Sequence, residues 1–492
     1  MKKNLHAFHI LSIKSALRVS CVVFLLACAS ASRAENIGVP SECEDVMLQA
    51  FYWDSYQDKG YGCTKWNYLI NNIDAITTDF DLVWLPPSAM GEGVGYTHKQ
   101  LSNQDSEWGP KIQLQNLITK LHNGGAKVIA DIVINHRGNK SSWCDFYADN
   151  FGSYGSFQLT QQHICLYDEG FTKSGSSCYN APVSERGAAD SGTNFDGVRD
   201  LDHTSEYVQS WAKAYVQWML NTMKYDGFRY DMTLGYDGKY LSMYNEAAQP
   251  YLSVSELWSD INTQVNHLKA TNYNTMIFDF PLKYKIGEAI GGNMGAYGAL
   301  RNPSNSLRGK GYGKYAVTFI DNHDTFERSD NQSGEFIKYN ADLNDSTVRS
   351  KILQANAYIL MMPGIPCVFY PHWRSYQKEI SELIAIRKRA GIHSESVVSD
   401  EVGGQFKYSA TVQGHHGKVI VRLGKNRDKT QPEGYETVAD YPEYNIYYKA
   451  ETQGLENIDS DTGVRKIIYN GQVYIVREGK TYTLTGSEVR EK

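Results

Sequence analysis

Four short segments end apolar runs in ionisable side chains: DIVINH (131–136), GFRYD (227–231), SVSEL (253–257) and TFIDNHDT (318–325). Each reads as a buried strand tipped with carboxylate, histidine or arginine. Charge at the rim of a core is costly, so a rim that keeps it is a working site. The acidic tips Asp231, Glu256 and Asp324 are the candidate catalytic groups. A carboxylate serves as nucleophile or as proton donor according to how far its surroundings move its pKa. Taken alone, an Asp at a strand end is most often a cap or a loop ion pair. Asp231, with Arg229 two residues earlier on the same strand face, invites that plain reading too. The case for catalysis rests on the four segments occurring together.

The elements that must position these tips are legible as alternating runs. VMLQAFYW (46–53), LVWLPP (82–87), KVIADIVINH (127–136), GFRYD (227–231), YLSVSEL (251–257), TMIFDFP (275–281), AVTFIDNHD (316–324) and GIPCVFYPHW (364–373) have strand character. Between them 205–223 is helical, with Val208, Trp211, Ala212, Tyr215, Trp218 and Met219 on one face. Eight strand–helix units predict an α/β fold, a closed (β/α)8 barrel, whose chemistry sits at the C-terminal strand ends where the polar clusters fall. Almost seventy residues rich in Gly, Ser, Asp and aromatics separate His136 from that helix. A connection that long is usually functional, and it reads as a subdomain inserted after strand 3. Beyond about residue 390, GQFKYSATV (404–412), GKVIVRLG (417–424) and YNIYYKAE (444–451) alternate as antiparallel strands. KIIYNGQVYIV (466–476) sets Asn470-Gly471 between two alternating runs, a hairpin signal. That tail reads either as an edge hairpin or as a sorting signal of the kind exported bacterial proteins carry. The expected division is 1–34 leader, 35–136 and 205–390 barrel, 137–204 inserted subdomain, 391–450 C-terminal β domain and 451–492 hairpin tail.

A net charge of −6 without a basic block argues against a nucleic-acid partner. Aromatics make up 12% of the chain, with 35 tyrosines, which suits stacking on sugar rings as well as ordinary packing. Lys2, Lys3, Lys14 and Arg18 precede the apolar run CVVFLLACASA (21–31), the form of an export signal. Cleavage near Ala34, after Ser32-Arg33-Ala34, predicts a secreted protein. The rival is lipid attachment at Cys28, in FLLAC, which would anchor the protein to a membrane surface. Export permits disulfides. Cys367, in GIPCVFY, reads as a buried thiol; a bridge is expected among Cys144, Cys165 and Cys178, and Cys43–Cys63 is a further candidate.

The four segments resemble, in order, the four characteristic regions of the α-amylase family, glycoside hydrolase family thirteen. MLQAFYWDS, VWLPPS, GYTHKQLSNQDSEWG, ADIVINHR, DLDH, GFRYD, DNHDT and IRKRAGIHSES have counterparts across roughly residues 45–450, most like the plant-type α-amylases. The resemblance implies an endo-acting hydrolase of α-1,4-glucans such as starch and glycogen that retains anomeric configuration. It implies Asp231 as nucleophile, kept charged by the neighbouring Arg229, which is itself counted among the substrate-binding residues. Glu256 is implied as acid/base, held protonated among Val254, Leu257 and Trp258. Asp324 is implied as the carboxylate holding sugar hydroxyls, His136 and His323 as sugar contacts, and Tyr96 as the ring stacked beneath the sugar. Trp108 reads as core or as sugar platform. A structural Ca²⁺ is implied, with Asn135, Asn194, Asp200 and the carbonyl of Gly235 as ligands, oxygen donors from distant segments that suit this ion. Two departures stand out: Leu234 replaces the family's usual Lys or Arg three residues after the nucleophile, and His98 replaces a common Pro. The alternatives are a relative that transfers glucosyl chains or prefers maltooligosaccharides, and a non-catalytic glucan-binding protein, which would ordinarily lack one of the carboxylates.

Overall fold

Eight short parallel strands close on themselves in chain order: β1 Met47–Gln49, β2 Leu82–Trp84, β3 Lys127–Ile132, β4 Gly227–Tyr230, β5 Leu252–Ser255, β6 Met276–Phe278, β7 Ala316–Thr318 and β8 Ile365–Phe369. This is a computed structural model, and it describes residues 36–326, 343–451, 464–469, 472–477, 480–483 and 488–489. The leader, Cys28 and Asn470-Gly471 lie outside the described residues. Every expected barrel strand is present but shorter than its run, because the run continues into the rim loops that carry the polar tips.

Helices follow the strands and cover the barrel. Glu206–Asn221 buries Val208, Trp211, Ala212, Tyr215, Trp218 and Met219, the face its periodicity predicts. Asp237, Asp260, Asp279 and Asp345 each precede a helix and accept hydrogen bonds from its first free backbone N–H groups. Such caps contribute typically about 1 kcal/mol each. Trp108 is fully buried against Phe51, Tyr56 and Trp66, so it belongs to the core and not to a sugar platform.

The long connection leaves and rejoins the barrel rim at one place. His136–Arg137 pairs antiparallel with Arg199–Asp200, His136 opposite Asp200. Cys144–Cys178 bridges the segment between them, while Cys165 is a free, buried thiol. The Cys43–Cys63 bridge is not made. Cys43 is buried beside the Tyr251 hydroxyl and Cys63 faces the Tyr56 carbonyl, so the two thiols are committed to different neighbours. Cys367 is a free, buried thiol in β8.

The C-terminal part is an antiparallel sheet of β9 Val397–Gly404, β10 Lys407–Gln413, β11 Gly417–Leu423, β12 Glu436–Asp440 and β13 Tyr444–Ala450, in the order β9-β10-β11-β13-β12. β9 and β12 escaped the sequence reading because β9 has no buried residue, with Val397 and Val402 exposed beside Ser399 and Asp400, and β12 buries only Ala439, so neither shows an alternation of buried and exposed positions. β9 touches the barrel at Gly403, where a Cβ would stand 2.4 Å from the Gly298 Cα, so both positions need glycine. The tail exceeds the expected hairpin. β14 Val464–Tyr469 and β15 Gln472–Arg477 are joined by β16 Lys480–Thr483 and β17 Glu488–Val489 in one sheet.

Candidate active site

Sheet register assembles the site. Arg229 on β4 stands opposite Asp131 on β3 and Val254 on β5. Arg229 and Asp231 lie two residues apart, on one face of the chain. The guanidinium is fully buried and bonds three carboxylates: Nη1 lies 2.8 Å from Asp131 Oδ1 and 2.7 Å from Asp231 Oδ1, and Nη2 lies 2.7 Å from Glu256 Oε1. The rings of Trp84 and Tyr96 flank it. Asp131 Oδ2 accepts from Trp84 Nε1 at 3.1 Å and from the Tyr96 hydroxyl at 2.8 Å.

Three acids around one cation cannot all titrate normally. Burial pushes Glu256 up to about 8; Arg229 opposes this, while Asp231 and Asp324 add to it. Burial pushes Asp231 up to about 6, again against Arg229. The expectation that Arg229 depresses Asp231 therefore holds in sign but not in outcome, because the guanidinium is shared and burial outweighs its portion. Near neutral pH the arrangement leaves Asp231 ionised and Glu256 protonated. The Glu256 backbone is pinned by Thr233, whose N–H and hydroxyl donate to its carbonyl at 3.0 and 2.8 Å. Met232 adopts φ 45°, unusual for a side chain of its size, and its N–H donates to Glu256 Oε2 at 2.9 Å.

A cavity of about 510 Å³ opens over these groups, lined among others by Tyr96, His136, Asp231, Glu256, His323 and Asp324. Tyr96 and His323 stack with centroids 5.0 Å apart, and Trp53 lies parallel to both. The His323 ring is held by Gln49, whose Nε2 lies 2.9 Å from Nδ1, and its Nε2 is 3.1 Å from Asp324 Oδ2. His136 Nε2 lies 2.9 Å from the Tyr96 carbonyl, and burial pushes this ring down to about 4. A sugar hydroxyl would therefore meet a neutral imidazole and compete with that carbonyl for its N–H.

Beside His136 lies a second polar cluster. Asp200 Oδ1 accepts from Asn135 Nδ2 at 3.1 Å, and Oδ2 accepts from the Phe195 N–H at 2.7 Å. Burial pushes the Asp200 carboxyl up to about 8, with Asp190 and Asp168 adding to the shift. Asp190 Oδ2 and Glu169 Oε2 are buried with no hydrogen-bond partner. A Cβ on Gly235 would stand 1.9 Å from Asn135 Oδ1, so glycine is required there. Unpartnered carboxylate oxygen beside an amide oxygen and a bare backbone is a donor set for a hard cation, and the residues fit Ca²⁺.

The family described as alpha amylase, catalytic domain, matches residues 51–293. The barley alpha-amylase type B isozyme (Hordeum vulgare) is 34% identical over 138 residues, covering 27% of this chain and 80% of the relative. The chain belongs to the α-amylase family. Probable alpha-amylase 2 of Arabidopsis thaliana is 29% identical over 401 residues, covering 77% of this chain and 88% of that protein. An alpha-amylase from Geobacillus thermoleovorans, solved with acarbose, shares the fold at TM-score 0.59 and 15% identity, covering 82% of this chain and 98% of that one.

Within this α-amylase scaffold the structure gathers Asp231, Glu256, His136, His323, Asp324 and Tyr96 around one cavity, and Asn135, Asp200 and Gly235 around the cradle beside it. Arg229, expected among the substrate-binding residues, does not line that cavity: it is buried behind Asp231 and Glu256 with its nitrogens bonded to carboxylates. The Asn194 side chain is exposed and its amide donates to Asp196 at 2.8 Å, while its neighbours Thr193 and Phe195 donate their N–H groups to the Leu234 carbonyl and to Asp200 Oδ2. Two residues that the sequence reading passed over matter more. Asp131 is the third partner of Arg229, and its signal was a charge inside the apolar run ADIVINH. Asp190 supplies the unpartnered carboxylate; only its spacing from Asp200 hinted at it. Leu234 lines the cavity, where a basic residue would have placed a charge.

Proposed function

We propose that this protein is an α-amylase that cleaves internal α-1,4-glucosidic bonds of starch-like glucans by double displacement. The observation that carries the reading is the single buried guanidinium of Arg229, bonded to Asp231 on one nitrogen and to Glu256 on the other. A shared cation keeps the two acids close, as a retaining enzyme needs at about 5–5.5 Å, and their environments push their pKa values apart.

Protonated Glu256 donates to the glycosidic oxygen while the Asp231 carboxylate attacks the anomeric carbon. The C–O bond to the leaving chain breaks and a glycosyl ester forms. Glu256, now a carboxylate, takes a proton from water; the water oxygen attacks the same carbon and releases Asp231. Asp324 and His323 hold hydroxyls of the reacting sugar, Tyr96 stacks beneath it and His136 donates from Nε2. Asn135, Asp190 and Asp200, with the carbonyl of Gly235, would hold Ca²⁺. When bound, the ion supplies positive charge that neutralises the cradle and ties the inserted segment to the rim beside His136.

We further read the protein as exported on the strength of its leader; no helix among the described residues is long and apolar enough to cross a membrane. The deciding experiment is proton NMR of the first sugars released from soluble starch. The α anomer should appear first and then mutarotate. Initial β anomer would mean that water attacks directly and that Asp231 is not the nucleophile.

A further inference from the structure

On the opposite end of the barrel, below β1, three segments converge: 41–45 entering β1, 390–396 leaving the helix Gln377–Ala390, and the turn 414–417 between β10 and β11. Their backbones are interlocked. Ser394 N–H donates to the Cys43 carbonyl at 2.8 Å, and His415 and His416 N–H donate to the carbonyls of Gly391 and Ala390 at 2.9 and 3.0 Å. Gly391, at φ 65°, permits the approach: a Cβ there would stand 3.0 Å from the His415 Cβ.

Side chains of a particular kind fill this junction. The ligand atoms of Glu42, His393 and His415 all lie within 4.8 Å of one another. His393 is 7% exposed, a buried imidazole. Glu44 Oε1 sits 2.7 Å from His415 Nδ1, and His415 Nε2 faces Glu42 Oε2 at 3.6 Å. Glu395 Oε1 accepts from the Glu42 N–H at 3.2 Å and from the Ser41 hydroxyl at 3.3 Å, which steadies the segment that carries Glu42.

We propose that Glu42, His393 and His415 form a site for a divalent transition-metal ion of the zinc class, which clips the C-terminal β domain to the floor of the barrel. Two imidazoles and one carboxylate form a nitrogen-rich set that suits zinc and not calcium, so the site differs in kind from the Asp190–Asp200 cradle. Glu44 holds His415 Nδ1 as an outer carboxylate holds a metal-bound histidine, fixing the tautomer that leaves Nε2 for the ion. Glu42, Glu44 and Glu395 supply negative charge to balance a dication, and a water would complete a four-coordinate shell. The two imidazoles now stack at 4.2 Å and 12°. Their lone pairs lie in the ring planes, so binding turns one ring. His415 is the one able to turn, with 38% of its side chain exposed. The active-site tips lie at the other end of the strands, so the role is structural.

The test uses the full-length protein saturated with Ca²⁺, probed with Zn²⁺ and Co²⁺ alone. Dialysis against Zn²⁺ should load one equivalent above that retained by an H393Q/H415A double variant, and Co²⁺ should show the intense visible bands of a four-coordinate ion. Zn²⁺ should raise the melting temperature of the wild type but not of the double variant. Glu44→Gln should weaken binding by about 10–100-fold. If the double variant folds poorly, the Co²⁺ spectrum of the wild type and the Glu44→Gln affinity decide. No saturable binding, a six-coordinate Co²⁺ spectrum, or equal affinity in wild type and variants would overturn the proposal.

Discussion

Asp131→Asn separates the charge of Asp131 from its shape. Asp131 Oδ1 and Asp231 Oδ1 bond the same Arg229 nitrogen at 2.8 and 2.7 Å. The two oxygens therefore lie within roughly 5.5 Å of each other, and at an effective dielectric of about 20 like charges at that distance repel by about 3 kcal/mol, or about two pK units. Because 5.5 Å is the largest separation the two bonds allow, a closer approach raises this repulsion, while solvent entering the open cavity lowers it by screening the pair. Removing the charge also leaves Arg229 to act on two carboxylates instead of three. Both Asp231 and Glu256 should then fall by about one to two pK units. A lower nucleophile pKa moves the acidic limb of kcat/KM to lower pH. A lower proton-donor pKa moves the basic limb to lower pH as well. The whole bell should therefore slide to acid without narrowing, which initial rates on soluble starch across the bell will show. Asn keeps an oxygen for Trp84 or Tyr96 but not for all its donors, so stability should fall toward the lower end of the about 3–5 kcal/mol seen when one partner of a buried pair is removed. Unmoved limbs in a folded variant would refute the view that the three acids share one cation's field.

Four further outcomes follow from the same geometry. Asp231→Asn and Glu256→Gln should each lower kcat on starch by at least about 10²–10⁴-fold with melting curves little changed, and a Glu256→Gln enzyme that keeps more than half the wild-type rate would end its assignment as proton donor. Chelation should lower the melting temperature, and restored Ca²⁺ at about a hundredfold excess over Kd should return about 2.7 kcal/mol; Asp190→Asn should abolish the response, and a melting curve indifferent to chelation would remove the ion. Burial pushes Asp279 up to about 7 from an ordinary carboxylate value. Because its folded pKa is raised, the stability it contributes is full below about pH 4 and is lost as pH rises through about 7, a span worth up to roughly 4 kcal/mol; urea titrations of wild type and Asp279→Asn should converge or cross over that interval, and parallel curves would contradict it. Leu234→Lys should lower KM for long glucans more than for short ones if the wall it lines is the acceptor side, and an equal change for both would place it elsewhere.

The barrel was legible because its eight strands are buried on both faces, which writes most of them as largely apolar runs closed by polar residues, with Asp131 inside β3, Arg229 inside β4 and Ser253 and Ser255 inside β5 as the exceptions. The helix at 206–221 was legible because one face alone is buried. β9 and β12 were not, since edge strands that bury one residue or none carry little of the alternation on which such reading depends. Cys43 and Cys63 illustrate a different limit: twenty residues of separation permit a bridge, and only the packing of Tyr251 and Tyr56 shows that each thiol has other company.

The site was legible in its tips and illegible in its wiring. Asp231, Glu256 and Asp324 end strands and stand out, whereas Asp131 sits inside one and looks like an intrusion into the core. Its meaning comes from register, which sets β3 against β4 and brings Asp131 to the same nitrogen that holds Asp231. Register is a property of pairs of strands, so a reading that takes each segment alone assigns Arg229 to its sequence neighbour. That assignment predicts a depressed Asp231 pKa. The third carboxylate changes the result: a cation divided among three acids offsets burial for none of them completely. Glu256, bonded to the second guanidinium nitrogen and enclosed by the strained turn at Met232, is displaced furthest, to about 8. The division of labour between nucleophile and proton donor therefore arises from how one buried arginine is shared, and Asp131, which touches no reacting atom, is the residue that sets the shares.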